Sequence, residues 1–381
     1  MKKIYLCLAV MSVVLFSACL SNNDNKDPDP RPVTISTGVF VIGSGNTQSG
    51  IPGNLTYFDY YTEKATPNAF EVNNGGMSLG MTANDIIRYG QKIYIVVDGE
   101  HTVFVTDPNL KLIHKIDMTS AAMLGEEGGV SPRRITADGP NIYVSTYGGY
   151  VAAIDTLNFS LVKKYKVGSY PEGLIVDNGY LYVANSDYGY GNASISKVDL
   201  NSGADTPITD ENIRNPQEIV LAGSDIYFLD YGQYGAEPPY AQENAGVYCI
   251  SHGTVTKVVA DATGWGIYAQ YIFTYNAPYS YGDTKPVTYS VYDVTTKDLG
   301  SFTPSGIESP ATMCIDPVQG LLYIASYHMT TSEWGTFPDY TSNGYVNIYD
   351  LSTINRVGSF DCGVGPQRIG INKGIGYVYS Y

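Results

Sequence analysis

The chain has 381 residues, among them 35 Tyr and 41 Gly, and only 15% of its side chains are charged. That composition suits many half-buried aromatic strands joined by glycine turns, and it argues against a set of surface-charged helices. Thirty-seven acidic against 22 basic side chains leave a formal charge of −15 with no Lys/Arg cluster, which excludes nucleic acid as a partner and excludes a purely electrostatic grip on an anionic membrane.

At the start of the chain, Lys2 and Lys3 precede an apolar stretch from Ile4 to Phe16, followed by Ser17-Ala18-Cys19. The apolar stretch is too short to span a bilayer comfortably. The segment resembles a bacterial lipoprotein signal, with Phe16 where Leu is usual. The resemblance implies removal of residues 1–18, acylation of Cys19 and attachment to a membrane through the lipid anchor. The following LSNNDNKDPDPRPV is polar, acidic and proline-rich, and it reads as a disordered tether over residues 19–35, leaving a single folded domain over 36–381. An Asn/Asp-rich stretch directly after a lipidated cysteine resembles the export signals of gut Bacteroidetes lipoproteins, which implies exposure at the outer face of the outer membrane.

Beyond the tether the chain repeats itself. Pro132-Arg-Arg-Ile, Pro171-Glu-Gly-Leu, Pro216-Gln-Glu-Ile, Pro310-Ala-Thr-Met and Pro366-Gln-Arg-Ile each lead through a short turn into IYVSTY, LYVANS, IYFLDY, LYIASY and GYVYSY. DIIRYGQKIYIVV, ending at Val97, and GWGIYAQYIFTY, beginning at Gly264, fit the frame without the proline. A period of about 40 residues with several short strands per unit predicts an all-β, seven-bladed β-propeller. Its last unit, from Pro366, provides two strands, and GVFVIGSG and NLTYFDY at the other end supply the missing outer ones, so the ring closes by pairing the termini. Eight blades stay open, because GVFVIGSG and GYVYSY both resemble a second strand. The P-x-x-I/L starts and IYV-like strands resemble the YVTN-type, surface-layer-like propellers, and more narrowly the secreted propeller lipoproteins of Bacteroidetes.

Alternating strand direction puts the loops between second and third strands on the same face as the connections between units. Four of those loops are long: SDYGYGN, YGQYGAEPPYAQENAG, NAPYSYGDTKP and SYHMTTSEWGTFPDYTSNG. They present Tyr188, Tyr190, Tyr231, Tyr234, Tyr240, Tyr279, Tyr281, Tyr327, Trp334 and Tyr340, and with Tyr147 these suit the stacking of a bulky amphipathic ligand. The unit connections add Arg133, Arg134, Tyr170, Glu172, Gln217, Glu218, Trp265, Gln367 and Arg368 near the centre, where the charged groups either read ligand amides or phosphate or pair across blades. Tyr143, Tyr182, Tyr227 and Tyr323 recur at one strand position and read as packing between blades.

His101, His114, His252 and His328 lack metalloprotease spacing, and no G-x-S-x-G elbow occurs, so catalytic residues, metal and cofactor are all expected to be absent. His101 and His328 read as solvated loop residues. Cys249, Cys314 and Cys362 sit in apolar strand contexts and read as buried thiols, with one disulfide among them left open. The resemblance to Bacteroidetes propeller lipoproteins extends to the cobalamin-capture group that caps TonB-dependent vitamin B12 transporters. It implies a non-enzymatic protein that captures a small-molecule nutrient such as a corrinoid and delivers it to such a transporter. A surface-layer or adhesion module binding protein or polysaccharide is the alternative, and a propeller lactonase or lyase the third.

Overall fold

The computed structural model describes residues 31–237, 240–279, 285–333 and 335–378. The expected signal peptide, Cys19, Tyr281 and Trp334 lie outside the described residues. Nearly all regular structure is antiparallel strand, and the helical elements are Ala69–Asn73, Gly125–Gly128 and the 3₁₀ turn Asp187–Gly189.

Each repeat start opens a strand. Ala83–Tyr89, Pro132–Asp138, Pro171–Asp177, Pro216–Ala222, Gly264–Tyr268, Ser309–Asp316 and Pro366–Val378 each form one edge of a separate sheet. Six of these sheets have four strands; the Pro171 sheet has three. Its fourth place is taken by the isolated bridges Ile195 to Ile208 and Val198 to Asp205, where NSGADTPITD has too many turn formers to continue a ladder. The leading strands pack side by side in chain order, and Pro366–Val378 packs back against Ala83–Tyr89. Between Pro216–Ala222 and Gly264–Tyr268 the link is Trp265 Nε1, donating to Glu218 Oε2 at 3.0 Å.

The core lies between sheets rather than inside any one of them. In Lys92–Val97, Tyr94 and Val96 face Ile142 and Val144 of the Pro132 sheet. Ile93, Ile95 and Val97 face Phe40, Ile42 and Leu55 on the other side. A strand buried on both faces needs an unbroken apolar run, which is why these second strands read IYIVV or IYFLD. Tyr143, Tyr227 and Tyr323 are buried as expected of packing residues, and Tyr182 is half-buried.

The proline starts have a structural reason. The pairing of Pro132 with Thr146 skips to Ile135 with Val144, and the Pro171, Pro216 and Pro310 strands skip likewise. Each skip is a bulge at the strand entrance, where a residue without an N–H costs no ladder bond and the displaced side chains are re-aimed toward the centre. Gly264–Tyr268 has neither proline nor bulge and pairs without interruption from Gly264 with Tyr275 to Tyr268 with Tyr271.

The termini share a sheet, in the order Lys64–Thr66, Asn54–Asp59, Arg31–Gly43, Pro366–Val378. Two expectations change here. Pro366–Val378 is one strand of 13 residues with no turn at Asn372-Lys373-Gly374, because Arg31 to Ser36 pair with Val378 to Lys373 and carry the ladder straight on. Residues 31–35, read as tether, are therefore strand. GVFVIG and the GYV of GYVYSY lie in the same sheet rather than each seeding its own.

Candidate functional site

Three of the four long loops border one cavity, two of them are bonded directly to each other, and the third is held by the Asn46 segment. Gln242 N donates to the Tyr279 carbonyl at 3.1 Å, and Asn46 Nδ2 to the Tyr340 carbonyl at 3.0 Å. Two of the loops carry hairpins of their own, Gln233–Tyr234 with Gln242–Glu243 and Met329–Ser332 with Gly335–Pro338, which composition alone did not distinguish from irregular loop. Gly232 makes the first possible: its φ is +66°, and a Cβ there would lie 1.9 Å from the Glu243 carbonyl oxygen.

Between these loops lies a cavity of about 520 Å³ walled by Tyr231, Tyr234, Tyr275, Tyr279, Tyr327 and Tyr340, with Phe337 and Met329 on the apolar side and Glu308 and Lys285 as charged groups. A second cavity of about 210 Å³ shares Tyr231, Tyr275 and Tyr327 with it and runs to Arg134, Glu218, Trp265 and Gln367. A third, of about 420 Å³, shares Tyr327 and Tyr340 and is lined by Ser44, Asn46, Thr47, Gln48 and Asn84, with the expected contact residue Arg133 also at its wall. Tyr327 borders all three. The combined site thus has an aromatic wall, a charged floor and an amide- and hydroxyl-rich flank, so its apolar and polar sides are distinct.

Burial, with added repulsion from Glu218, holds the Tyr231 phenol well above its usual range, and burial followed by Tyr340 does the same for Tyr327. Tyr275 is raised by burial and by Tyr231, and its hydroxyl donates to the Ala311 carbonyl at 2.6 Å. These phenols stay protonated and act as neutral hydrogen-bonding groups on apolar rings.

Several expected contact residues are already engaged within the protein. Arg133 lies 2.7 Å from Asp98 and 3.0 Å from Glu172, and its guanidinium sits 4.5 Å from the centre of the Tyr147 ring. The Tyr147 hydroxyl donates to Glu172. Arg368 bridges Asp85 at 3.1 Å and Glu218 at 2.8 Å, and Trp265 is buried with its N–H on Glu218. Of the two roles open to these arginines, pairing between sheets is the one the geometry displays. Burial raises the Glu218 carboxyl, but Arg368 and Arg134, with the hydrogen bonds from Trp265 and Arg368, outweigh it and bring the carboxyl down to about 2.

A separate aromatic group stands over Arg133. Tyr147, Tyr170 and Tyr188 meet edge to face with ring centres 5.0 to 6.0 Å apart, and Tyr190 stacks beside Tyr188 at 6.2 Å. Tyr188 and Tyr190 are mostly exposed and line none of the three cavities; Tyr240 is exposed and does not line them either. His328 is exposed as expected, with Nδ1 3.0 Å from Glu308, whereas His101 is half-buried and its Nδ1 accepts from Ser131 N at 3.1 Å. Sequence reasoning missed Tyr275, Phe337, Lys285 and Glu308. Tyr275 was legible as the tyrosine that ends a strand next to a long loop, whereas the others enter only through the fold of their loops.

Among the described residues no group of three or more His, Cys, Asp or Glu is placed to hold a metal ion, and Cys249, Cys314 and Cys362 are free thiols.

No family model and no curated protein matches the chain. Among solved structures, Kuenenia stuttgartiensis hydrazine synthase, a β-propeller protein, aligns with a TM-score of 0.55 at 16% identity, covering 77% of this chain and 94% of that one. The computationally designed Ika8 protein aligns with a TM-score of 0.48 at 11% identity, covering 78% of this chain and 96% of its own. The likeness to hydrazine synthase is one of fold, and the chain has a β-propeller-like all-β architecture.

Proposed function

We propose that this protein is a seven-bladed propeller lipoprotein of the outer cell surface that captures a nutrient and delivers it to an outer-membrane transporter without chemical change. The ligand we assign is a corrinoid such as cobalamin, and the lipid anchor is Cys19. The observation that carries the reading is the cavity of about 520 Å³ with six tyrosines in its wall, continuous with a polar flank. Broad rings on a rigid scaffold bury a large ligand face at small ordering cost, while the flank offers partners to peripheral amides. A corrinoid is large, amphipathic and rich in amides, so its two chemistries match the two halves of the site.

The test is a calorimetric titration of the full chain with cyanocobalamin, with ferric siderophores and common glycans as controls. Tight one-to-one binding of cyanocobalamin alone supports the assignment. Heat with a siderophore or glycan and none with cyanocobalamin moves the ligand class and leaves the site. A second reading, adhesion to polysaccharide or protein, is favoured by Tyr188 and Tyr190, which stand exposed away from the cavities. It predicts binding that survives mutation of the cavity tyrosines and is lost on Tyr188→Ala.

A further inference from the structure

At the floor of the site, the third positions of the seven repeat starts carry two cations, Arg134 and Arg368, and two anions, Asp85 and Glu218. The other three positions are Gly173, Gly266 and Thr312, so the ring has no net formal charge. Arg368 is fully committed, bridging both anions. Arg134 is not. It is 8% exposed, its Nη1 donates to the Asn84 carbonyl at 3.0 Å, and its Nε has no partner. Among the described residues no carboxylate lies within ion-pair distance of it. A guanidinium has five N–H groups, and burying one with most of them unused is costly unless something else takes them up.

Arg134 lines the cavity of about 210 Å³ beneath Tyr231 and Tyr327, and Glu218 lines the same cavity. Glu218 Oε2 accepts from both Arg368 and Trp265, whereas Oε1 accepts no hydrogen bond among the described residues. One small cavity therefore offers unused donors and an unused acceptor, set in a charge-balanced ring.

We propose that this cavity receives a neutral primary carboxamide of the ligand, its carbonyl oxygen accepting from Arg134 and its N–H donating to Glu218 Oε1. A carboxylate would satisfy Arg134 but meet the Glu218 charge, and an ammonium would do the reverse. With the ring already neutral, neither ion recovers its desolvation cost. The carboxamide carries both an acceptor and donors without charge. This deepens the proposed function and rests on its reading of the tyrosine cavity as the ligand site.

The test uses benzamide and benzoate, which share shape and differ in charge, observed by saturation-transfer NMR on the full chain with cyanocobalamin as competitor. Benzamide is expected to bind at least about tenfold more tightly than benzoate, because a site built around a donor and an acceptor penalises the analogue that mismatches one of them. Glu218→Gln should remove the preference, and Arg134→Met should weaken both probes. Thr312→Met, which fills the cavity from a ring position outside the ion pairs, should abolish benzamide binding and provides the readout if the charge variants fail to fold. Tighter benzoate than benzamide, no binding of either probe, or benzamide binding indifferent to Thr312→Met overturns the proposal. Selective benzamide binding without any cyanocobalamin binding upholds the carboxamide site and removes only the corrinoid assignment.

Discussion

Arg368 Nη1 donates to Glu218 Oε2 at 2.8 Å although 150 positions separate the two residues. Arg368 belongs to the strand that pairs with the N-terminal segment, so this bond ties the sheet that holds both termini to the Pro216 sheet. Its Nε also lies 3.1 Å from Asp85, whose side chain is 2% exposed. Replacing Arg368 with Met leaves Asp85 buried without its ion pair, and the expected loss is about 2–4 kcal/mol, reduced from the fully buried case because the Arg368 side chain is about one-third exposed (34%). Urea unfolding midpoints of Arg368→Met, Asp85→Asn and the double variant measure it. Strict additivity of the two single effects would show that the bridge couples nothing.

Stability should also carry an acid signature from Glu218. Its carboxyl falls from an ordinary 4.5 to about 2, since Arg368 and Arg134 outweigh the opposing effect of burial. A folded-state value below the unfolded one means the stabilisation is complete above the unfolded value and disappears as pH falls from about 4.5 toward 2. Glu218→Gln is expected to lower stability at pH 7 and to flatten this part of the acid limb. Thermal melts at half-unit pH steps compare the two proteins, and parallel acid limbs would contradict the assignment.

Which parts of this were legible in sequence follows from the physics of each feature. The P-x-x-I starts and apolar second strands are local signals, because bulges and two-sided burial impose residue types at fixed spacing, and they located the sheets and the loop-bearing face. The single long strand from Pro366 was not legible. Asn372-Lys373-Gly374 has turn chemistry, and what overrides it is a partner, Arg31 to Ser36, more than 300 residues away. Arg133, Arg134, Glu218 and Arg368 all drew attention as central charges, but whether a charge is free or paired depends on neighbouring sheets. Arg134, beside Arg133 in sequence, is the less committed of the two. The cavity lining from Phe337 and Glu308 depends on loop geometry that no repeat encodes.

Gly264 should be irreplaceable for a reason specific to the site. A Cβ at this position would stand 2.1 Å from Cζ of Tyr275, and the ring cannot yield while its hydroxyl donates to the Ala311 carbonyl. Gly264→Ala is therefore expected to cost about 1–3 kcal/mol through overpacking and to push Tyr275 into the cavity it lines. Paired measurements of the melting temperature and of cyanocobalamin affinity check this. Companion Tyr275→Phe should keep the wall and lose only the hydrogen bond, about 1 kcal/mol.

The three thiols should be silent in the native protein. Burial raises Cys314 to about 11 and Cys362 to about 12, and it also raises Cys249. Thiolate is the reactive species, so at pH 8 very little of it is present. Ellman's reagent is expected to label none of the three over minutes under native conditions and all of them in urea without reductant. Release of a single thiol on unfolding would instead reveal a disulfide.

Tyr327 should dominate ligand binding, because it borders all three cavities and its ring meets Tyr340 edge to face at 5.1 Å. A central aromatic residue that touches every part of a bound molecule is the usual form of a binding hot spot. Tyr327→Ala removes the ring and frees Tyr340 to move, and the affinity loss is expected to be about 10–100-fold, equivalent to about 1.4–2.7 kcal/mol. Tyr327→Phe retains the wall and should cost under about tenfold. Tyr240→Ala, at an exposed residue that lines none of the cavities, is the control and should leave binding unchanged. Calorimetry with cyanocobalamin on these three variants separates the readings. A large effect at Tyr327 with none at Tyr240 places the ligand between the long loops, whereas equal effects would mean that it lies across the loop tips, and the cavity would lose its role.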